Sequence, residues 1–218
     1  MADKPKAIFF DWDGTLVDTL DFVFKAHNHV RAELGEAQWT RDEFKVHTKF
    51  SSVQLYPRIY GDRAQLAMAT LEKFMNENHL KPENLVLLAG VQSFLEDAKK
   101  SGIVMGVVSN KRHMFITREV DHMGLKPYFT SVVGAGVAAQ DKPSADPLLF
   151  ALKESGIAPG PDVWFVGDTE PDILCARAAG CTAVLLHQDK DHQKLIAAHN
   201  PDVIVRDIVS FRSAAFTP

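Results

Sequence analysis

Residues Ile8-Phe9-Phe10-Asp11-Trp12-Asp13-Gly14-Thr15 decide how the rest of the chain is read. Ile8 to Phe10 run without a polar interruption, the pattern of a strand covered on both faces of a parallel sheet. The run ends in two carboxylates, Asp11 and Asp13, and then in Gly14, which permits a tight turn. In open α/β sheets this end of the strands is where ligands bind. Two carboxylates so close repel each other, and burial would raise their pKa values. A divalent cation that prefers hard oxygen ligands, such as Mg²⁺, would offset both effects. Taken alone, the stretch is equally an Asx-type turn with two solvated acids. Partners elsewhere in the chain must decide.

The chain has 218 residues, enough for one domain or one and a half with a sizeable core. At 46% hydrophobic and 24% charged residues, disordered and fibrous classes are excluded. The net charge of -4 lacks the basic excess of a nucleic-acid binder. No stretch has the length of a membrane-spanning helix, so no membrane partner is expected. Met1 to Lys6 lead directly into the first strand, which leaves no room for a signal peptide and suggests a cytoplasmic protein. Cys175 and Cys181 read as buried free thiols of a reducing compartment. The nine histidines show no zinc-type spacing.

From about Val17 to Gly35 apolar residues recur at helical spacing (Leu20, Val23, Phe24, Val30, Leu34), with His27 among them. Thr40 and Glu43 form a capping box for a helix through about Thr48. Further helices are expected from Val53 to Tyr60 and from Ala64 to Asn78, the latter with Leu66, Met68, Leu71, Phe74 and Met75 as core candidates. Nothing here alternates like a strand, so an all-helical insertion follows the first strand. Afterwards strands and helices alternate. Strands are expected at 103–108, 131–134, 163–166 and 182–186, with a short edge strand at 203–205. Helices are expected at 91–100, 112–123, from Asp146-Pro147 to before Gly156, from Pro171 to Gly180, and near 207–214. The fold class is therefore α/β: a doubly wound parallel sheet with an inserted helical domain. The division is residues 1–16 and 86–218 for the sheet domain and 17–85 for the insertion.

The carboxyl ends of these strands carry a sorted set of residues. They are Asp11 and Asp13, then Ser109 and Asn110, then Lys142 in the following loop, then Asp168 with Asp172 nearby. In a parallel sheet these ends share one edge and can converge. Such a set suits phosphoryl transfer. A cation held by Asp11 and Asp168 would bridge a carboxylate nucleophile and a phosphate. Lys142, the Ser109 hydroxyl and the amides of the Asp11–Gly14 turn would meet phosphate oxygens. Asp13 would serve as acid for the leaving alcohol and base for water.

On Asp11-Trp-Asp-Gly-Thr15, Ser109-Asn110, Lys142-Pro143 and Gly167-Asp-Thr-Glu-Pro-Asp172, the sequence resembles the haloacid dehalogenase-like hydrolases. The insertion resembles the small helical cap of the phosphoglycolate phosphatase and β-phosphoglucomutase branch. The resemblance implies a Mg²⁺-dependent phosphatase acting on a small phosphorylated metabolite, with phosphoglycolate as the favoured guess. Asp11 would be nucleophile and metal ligand, and Asp13 acid/base and metal ligand through its carbonyl. Lys142 would stabilise the phosphoaspartate, with Gly14, Thr15, Ser109 and Asn110 around phosphate or substrate. Asp168 would bind Mg²⁺ directly, and Asp172 would bind it or support its ligands. Trp12, Ala89 and Pro171 depart from the usual pattern, and none removes a functional group.

Three rivals remain. A dehalogenase needs neither Asp13 nor a metal. A phosphosugar mutase shares every motif. A non-catalytic binding module would be expected to lack Asp11, Asp13 or Lys142. Between Arg41 and Arg63 the insertion holds five basic residues (Arg41, Lys45, Lys49, Arg58, Arg63) against three acidic ones. His47, Lys49 and Ser51 are its substrate-contact candidates. A monomer or homodimer is expected.

Overall fold

The computed structural model describes residues 4–186 and 192–216. Strand β1 (Ala7–Phe10) is entirely buried and lies in the middle of a six-stranded sheet. It pairs in parallel with β4 (Val104–Arg112) on one side and β6 (Val163–Gly167) on the other. The sheet continues through β5 (Ser131–Ala135) beyond β4, and through β7 (Thr182–Leu186) and β8 (Val203–Val205) beyond β6. The chain thus fills one side of β1 first and then returns to the other, making β1 the point where strand order reverses. Crevices open at such points. The register sets Phe10 level with Val107 and Val166, so the chain emerges at Asp11 beside the ends of both neighbours.

Alternation along β1 feeds two separate cores. Ile8 and Phe10 pack with α5 (Val91–Lys100), α6 (His113–His122) and α10 (Ile208–Phe216). Ala7 and Phe9 pack with α7 (Asp146–Glu154) and α8 (Glu170–Ala178). Gly106 on β4 gives Phe9 its space, since a Cβ there would lie 2.3 Å from the ring.

Helices α1 (Leu20–Glu33), α2 (Arg41–His47), α3 (Ser52–Tyr60) and α4 (Ala64–Asn78) build a third apolar cluster, which Phe115 of α6 joins from the sheet side. The Thr40–Glu43 capping box forms as expected. The insertion is not wholly helical, however. Val17 and Asp18 form β2, which pairs antiparallel with β3 (Val86–Leu87), so the two connections to the helical layer run side by side. A strand two residues long cannot display a period, and the helix begins only after Thr19. Leu66 also departs from expectation. It is 59% exposed, and Ala67 takes the buried position.

Two elements extend the expected outline. Strand β4 runs on through Ser109, Asn110 and Lys111 to Arg112, with a shift of register against β5 after Val108. Helix α9 (His192–His199) was not expected. Its residues that pack on the core, Leu195 and Ile196, are adjacent, so they make no helical stripe. Cys175 and Cys181 are buried free thiols. No helix among the described residues is long and apolar enough to cross a membrane.

Candidate active site

Carboxylates converge at the carboxyl edge of β1 and β6. Oxygens of Asp11, Asp168 and Asp172, all buried, lie within 4.8 Å of one another. Asp11 follows β1 and Asp168 follows β6, while Asp172 sits in the first turn of α8. There its Oδ2 accepts bonds from the Thr169 amide at 3.0 Å and the Thr169 hydroxyl at 2.5 Å. Two glycines make room for this crowding. A Cβ on Gly167 would lie 2.4 Å from that of Asp172, and one on Gly14 would lie 2.7 Å from Asp168 Oδ2. Gly14 also has φ +78°, which disfavours any side chain there.

Lys142 is clasped within this group. Its Nζ donates to Asp11 Oδ1 at 2.7 Å and to Asp172 Oδ1 at 2.6 Å. Burial alone would lower its pKa, but Asp11 and Asp172 outweigh that and hold it above the ordinary lysine value. Burial pushes Asp11 up, Lys142 pulls it back, and Asp172 and Asp13 add to the rise, leaving it at about 7. Burial, then Asp11 and Asp172, push Asp168 well above the usual carboxylate range. Among the described residues, three buried carboxylates gather around the Lys142 ammonium, which bonds two of them. Such hard oxygen donors, clustered within 4.8 Å, fit a Mg²⁺-like cation.

Asp13 sits apart from that group. Its Oδ1 accepts from the Thr19 hydroxyl, and Lys111 Nζ lies 2.7 Å from the same oxygen. Ser109 is buried, and its hydroxyl accepts the Lys111 amide at 3.1 Å. Asn110 Nδ2 donates to the Lys142 carbonyl at 3.1 Å. Its Oδ1 is buried with no partner among the described residues. Asp11, Asp13, Ser109, Asn110, Lys111 and Lys142 line a cavity of about 150 Å³, whose far wall is apolar and comes from the helical layer.

The expected residues do not all play the expected parts. Thr15 is fully buried, and its hydroxyl donates to Asp168 Oδ1 at 2.9 Å, so it braces an acid and does not face the cavity. The Gly14 amide donates to the Val17 carbonyl at 2.8 Å and so holds the turn. Of the insertion candidates, His47 stacks on Trp39. Lys49 pairs with Glu170 across the layers. Ser51 donates to Asp141 Oδ2 at 2.5 Å. Their neighbours Thr48, Phe50 and Ser52 line the cavity instead. Three charged residues at or behind the cavity wall were also missed: Lys111, Arg112 and Glu119. For Glu119 a signal existed, because it interrupts the apolar stripe Phe115, Ile116 and Val120 of α6.

Comparison with known proteins identifies the family. The family model of the haloacid dehalogenase-like hydrolases matches residues 8–186. A phosphoglycolate phosphatase of Pseudomonas syringae pv. syringae is 32% identical over 211 residues, covering 94% of this chain and 77% of that one. The crystal structure of a HAD-superfamily hydrolase from Ehrlichia chaffeensis is 27% identical, with TM-score 0.65 over 97% of this chain and 96% of the other. CbbY from Rhodobacter sphaeroides, solved in complex with phosphate, shares the fold with TM-score 0.78 at 20% identity, over 95% of this chain and 96% of that one. This chain belongs to the haloacid dehalogenase-like hydrolase family.

Proposed function

We propose that the protein is a Mg²⁺-dependent phosphatase that hydrolyses a small phosphomonoester through a phosphoaspartate on Asp11. The observation that carries this reading is the buried Asp11–Lys142–Asp172 clasp beside Asp168, a carboxylate-rich group opening on a small cavity. Asp11, Asp168 and Asp172 would hold the cation. When bound, it neutralises charge between an anionic nucleophile and an anionic phosphate. Lys142 keeps its positive charge against Asp11 and would share it with the phosphoryl oxygens. The Ser109 hydroxyl would donate to another of those oxygens.

An Asp11 oxygen attacks phosphorus, and the bond to the ester oxygen breaks. Asp13 gives that oxygen a proton, so the alcohol leaves neutral. Asp13 then takes a proton from water. The water oxygen bonds to phosphorus, the acyl phosphate bond breaks, and inorganic phosphate and free Asp11 result. Residues 17–85 act as a cap in this reading. The paired strands β2 and β3 join it to the sheet domain, and α1, α2 and α4 supply the apolar wall of the cavity. Such a wall excludes water from the acyl phosphate until the alcohol has left.

The cavity volume of about 150 Å³ favours a short substrate, and the relatives named phosphoglycolate phosphatase make phosphoglycolate the first one to try. Phosphate release from a panel of phosphorylated metabolites tests the reading. Release with Mg²⁺, abolished by chelator, is expected. Rearrangement of a hexose phosphate without phosphate release would favour a mutase instead.

A further inference from the structure

Lys111 belongs to no part of the scheme above, yet it is among the most enclosed charges in the protein. Its side chain is 5% exposed and lies between two carboxylates, 2.7 Å from Asp13 Oδ1 and 2.6 Å from Glu119 Oε2. Burial disfavours its charge, but Asp13 and Glu119 more than restore it, and its pKa stands above the ordinary value.

Glu119 is buried as well and is anchored from two further directions. The Trp12 indole N–H donates to Oε2 at 2.7 Å, and His79 Nδ1 lies 3.1 Å from Oε1. Burial pushes the Glu119 carboxyl up, while Lys111, His79 and Trp12 together hold it below its usual range. These contacts join four distant parts of the chain: the turn after β1, the end of α4, the end of β4, and α6. Trp12 supplies one of the donors.

We infer that Lys111 is a positioning residue for Asp13, seated by Glu119, Trp12 and His79. Thr19 and Lys111 both engage Oδ1, which leaves Oδ2 as the oxygen that handles the proton. A carboxylate free to rotate would present that oxygen only part of the time, and small misplacements of a reacting group cost large factors in rate. Glu119 does for Lys111 what Lys111 does for Asp13. A buried ammonium tethered by a fixed carboxylate is restricted in where its remaining N–H groups can point.

The inference rests on Asp13 being the acid, and its test separates the two ideas. Lys111→Met, Lys111→Arg, Trp12→Phe and Asp13→Asn are compared on 4-nitrophenyl phosphate and benzyl phosphate. The first has a leaving group that needs no proton, and the second has one that does. General acid catalysis is worth about 10²–10⁴-fold. Lys111→Met should therefore lose on the order of 10²-fold in kcat/KM, which reports the step that releases the alcohol and not the later attack of water, on the benzyl ester and only a few-fold on the nitrophenyl ester. Lys111→Arg should recover much of that loss. Trp12→Phe keeps the ammonium and should show the same split at smaller size. It also serves should Lys111→Met fail to fold, because equal losses on the two esters in Trp12→Phe overturn the inference. A split in Asp13→Asn with none in Lys111→Met overturns the positioning role and leaves the acid in place. No split in Asp13→Asn overturns both.

Discussion

Each aspartate of Asp11-Trp12-Asp13 faces a buried lysine held between two carboxylates. Lys142 joins Asp11 to Asp172, and Lys111 joins Asp13 to Glu119. The two clasps are built alike and differ in their surroundings. Around Lys142 a third buried carboxylate, Asp168, joins the first two, and burial with their mutual repulsion raises the pKa values of Asp11 and Asp168. Around Lys111 the indole of Trp12 and the imidazole of His79 meet the far carboxylate, whose pKa falls. In the proposed reading an outside cation would complete the first clasp, whereas the contacts of the second come from the chain itself. The two acids of one motif therefore stand in neighbourhoods that differ in charge.

The largest effect should come from the first clasp. Asp11→Asn keeps the shape and removes the nucleophile, and kcat should fall by on the order of 10⁴-fold or more. Substantial residual phosphatase activity would break the assignment. Lys142→Met should follow, because it leaves buried carboxylates uncompensated. A loss of about 3–5 kcal/mol in urea unfolding is expected from one broken buried pair. Lys111→Met should unfold less readily than Lys142→Met, since Trp12 and His79 still donate to Glu119. Equal losses would erase the distinction between the clasps.

Mg²⁺ itself should sharpen the comparison. At a hundredfold excess over Kd it should stabilise the wild-type protein by about 2.7 kcal/mol. For a chain of this size that corresponds to a rise in Tm of about 5 °C or more. Asp168→Asn should abolish the rise, whereas Glu119→Gln should keep it. Loss of the rise in both variants would make the two sites one.

His27 shows what burial does without an opposite charge. It is enclosed in the helical layer against Tyr56, Trp39 and Phe44, and burial, aided by His47, lowers its pKa from 6.5 to about 4. The folded state then binds fewer protons than the unfolded state between those two values, so stability is intact above pH 6.5 and is lost as pH falls toward 4. The penalty should be on the order of 2 kcal/mol at pH 5. His27→Phe should flatten this part of the stability profile, and an unchanged profile would contradict the burial argument.

Much of the sheet could be read directly because its strands are continuous apolar runs ended by glycine or polar turns. Ile8–Phe10, Val163–Val166 and Thr182–Leu186 fall where expected. The convergence of Asp11, Asp168, Asp172 and Lys142 followed from one rule, that parallel strands share a carboxyl edge. What escaped depends on pairing across the fold. Val17–Asp18 is a strand only because Val86–Leu87 lies opposite. Thr15 looked like a phosphate contact until the position of Asp168 was fixed. Lys111 was invisible because its meaning depends on Glu119 and His79, and the His79–Glu119 pair alone spans 40 residues of sequence. Spacing within a motif carries what the local backbone arranges, and side chains that meet from separate elements leave only faint marks such as an acid in an apolar stripe.

The central claim is that phosphate passes through Asp11. Acid quenching of the Mg²⁺-loaded protein during turnover, followed by peptide mapping by mass, addresses it most directly. The account predicts covalent phosphate on the peptide carrying Asp11 and none in the Asp11→Asn protein. Phosphate on another residue, or undiminished turnover by Asp11→Asn without a covalent species, would contradict it.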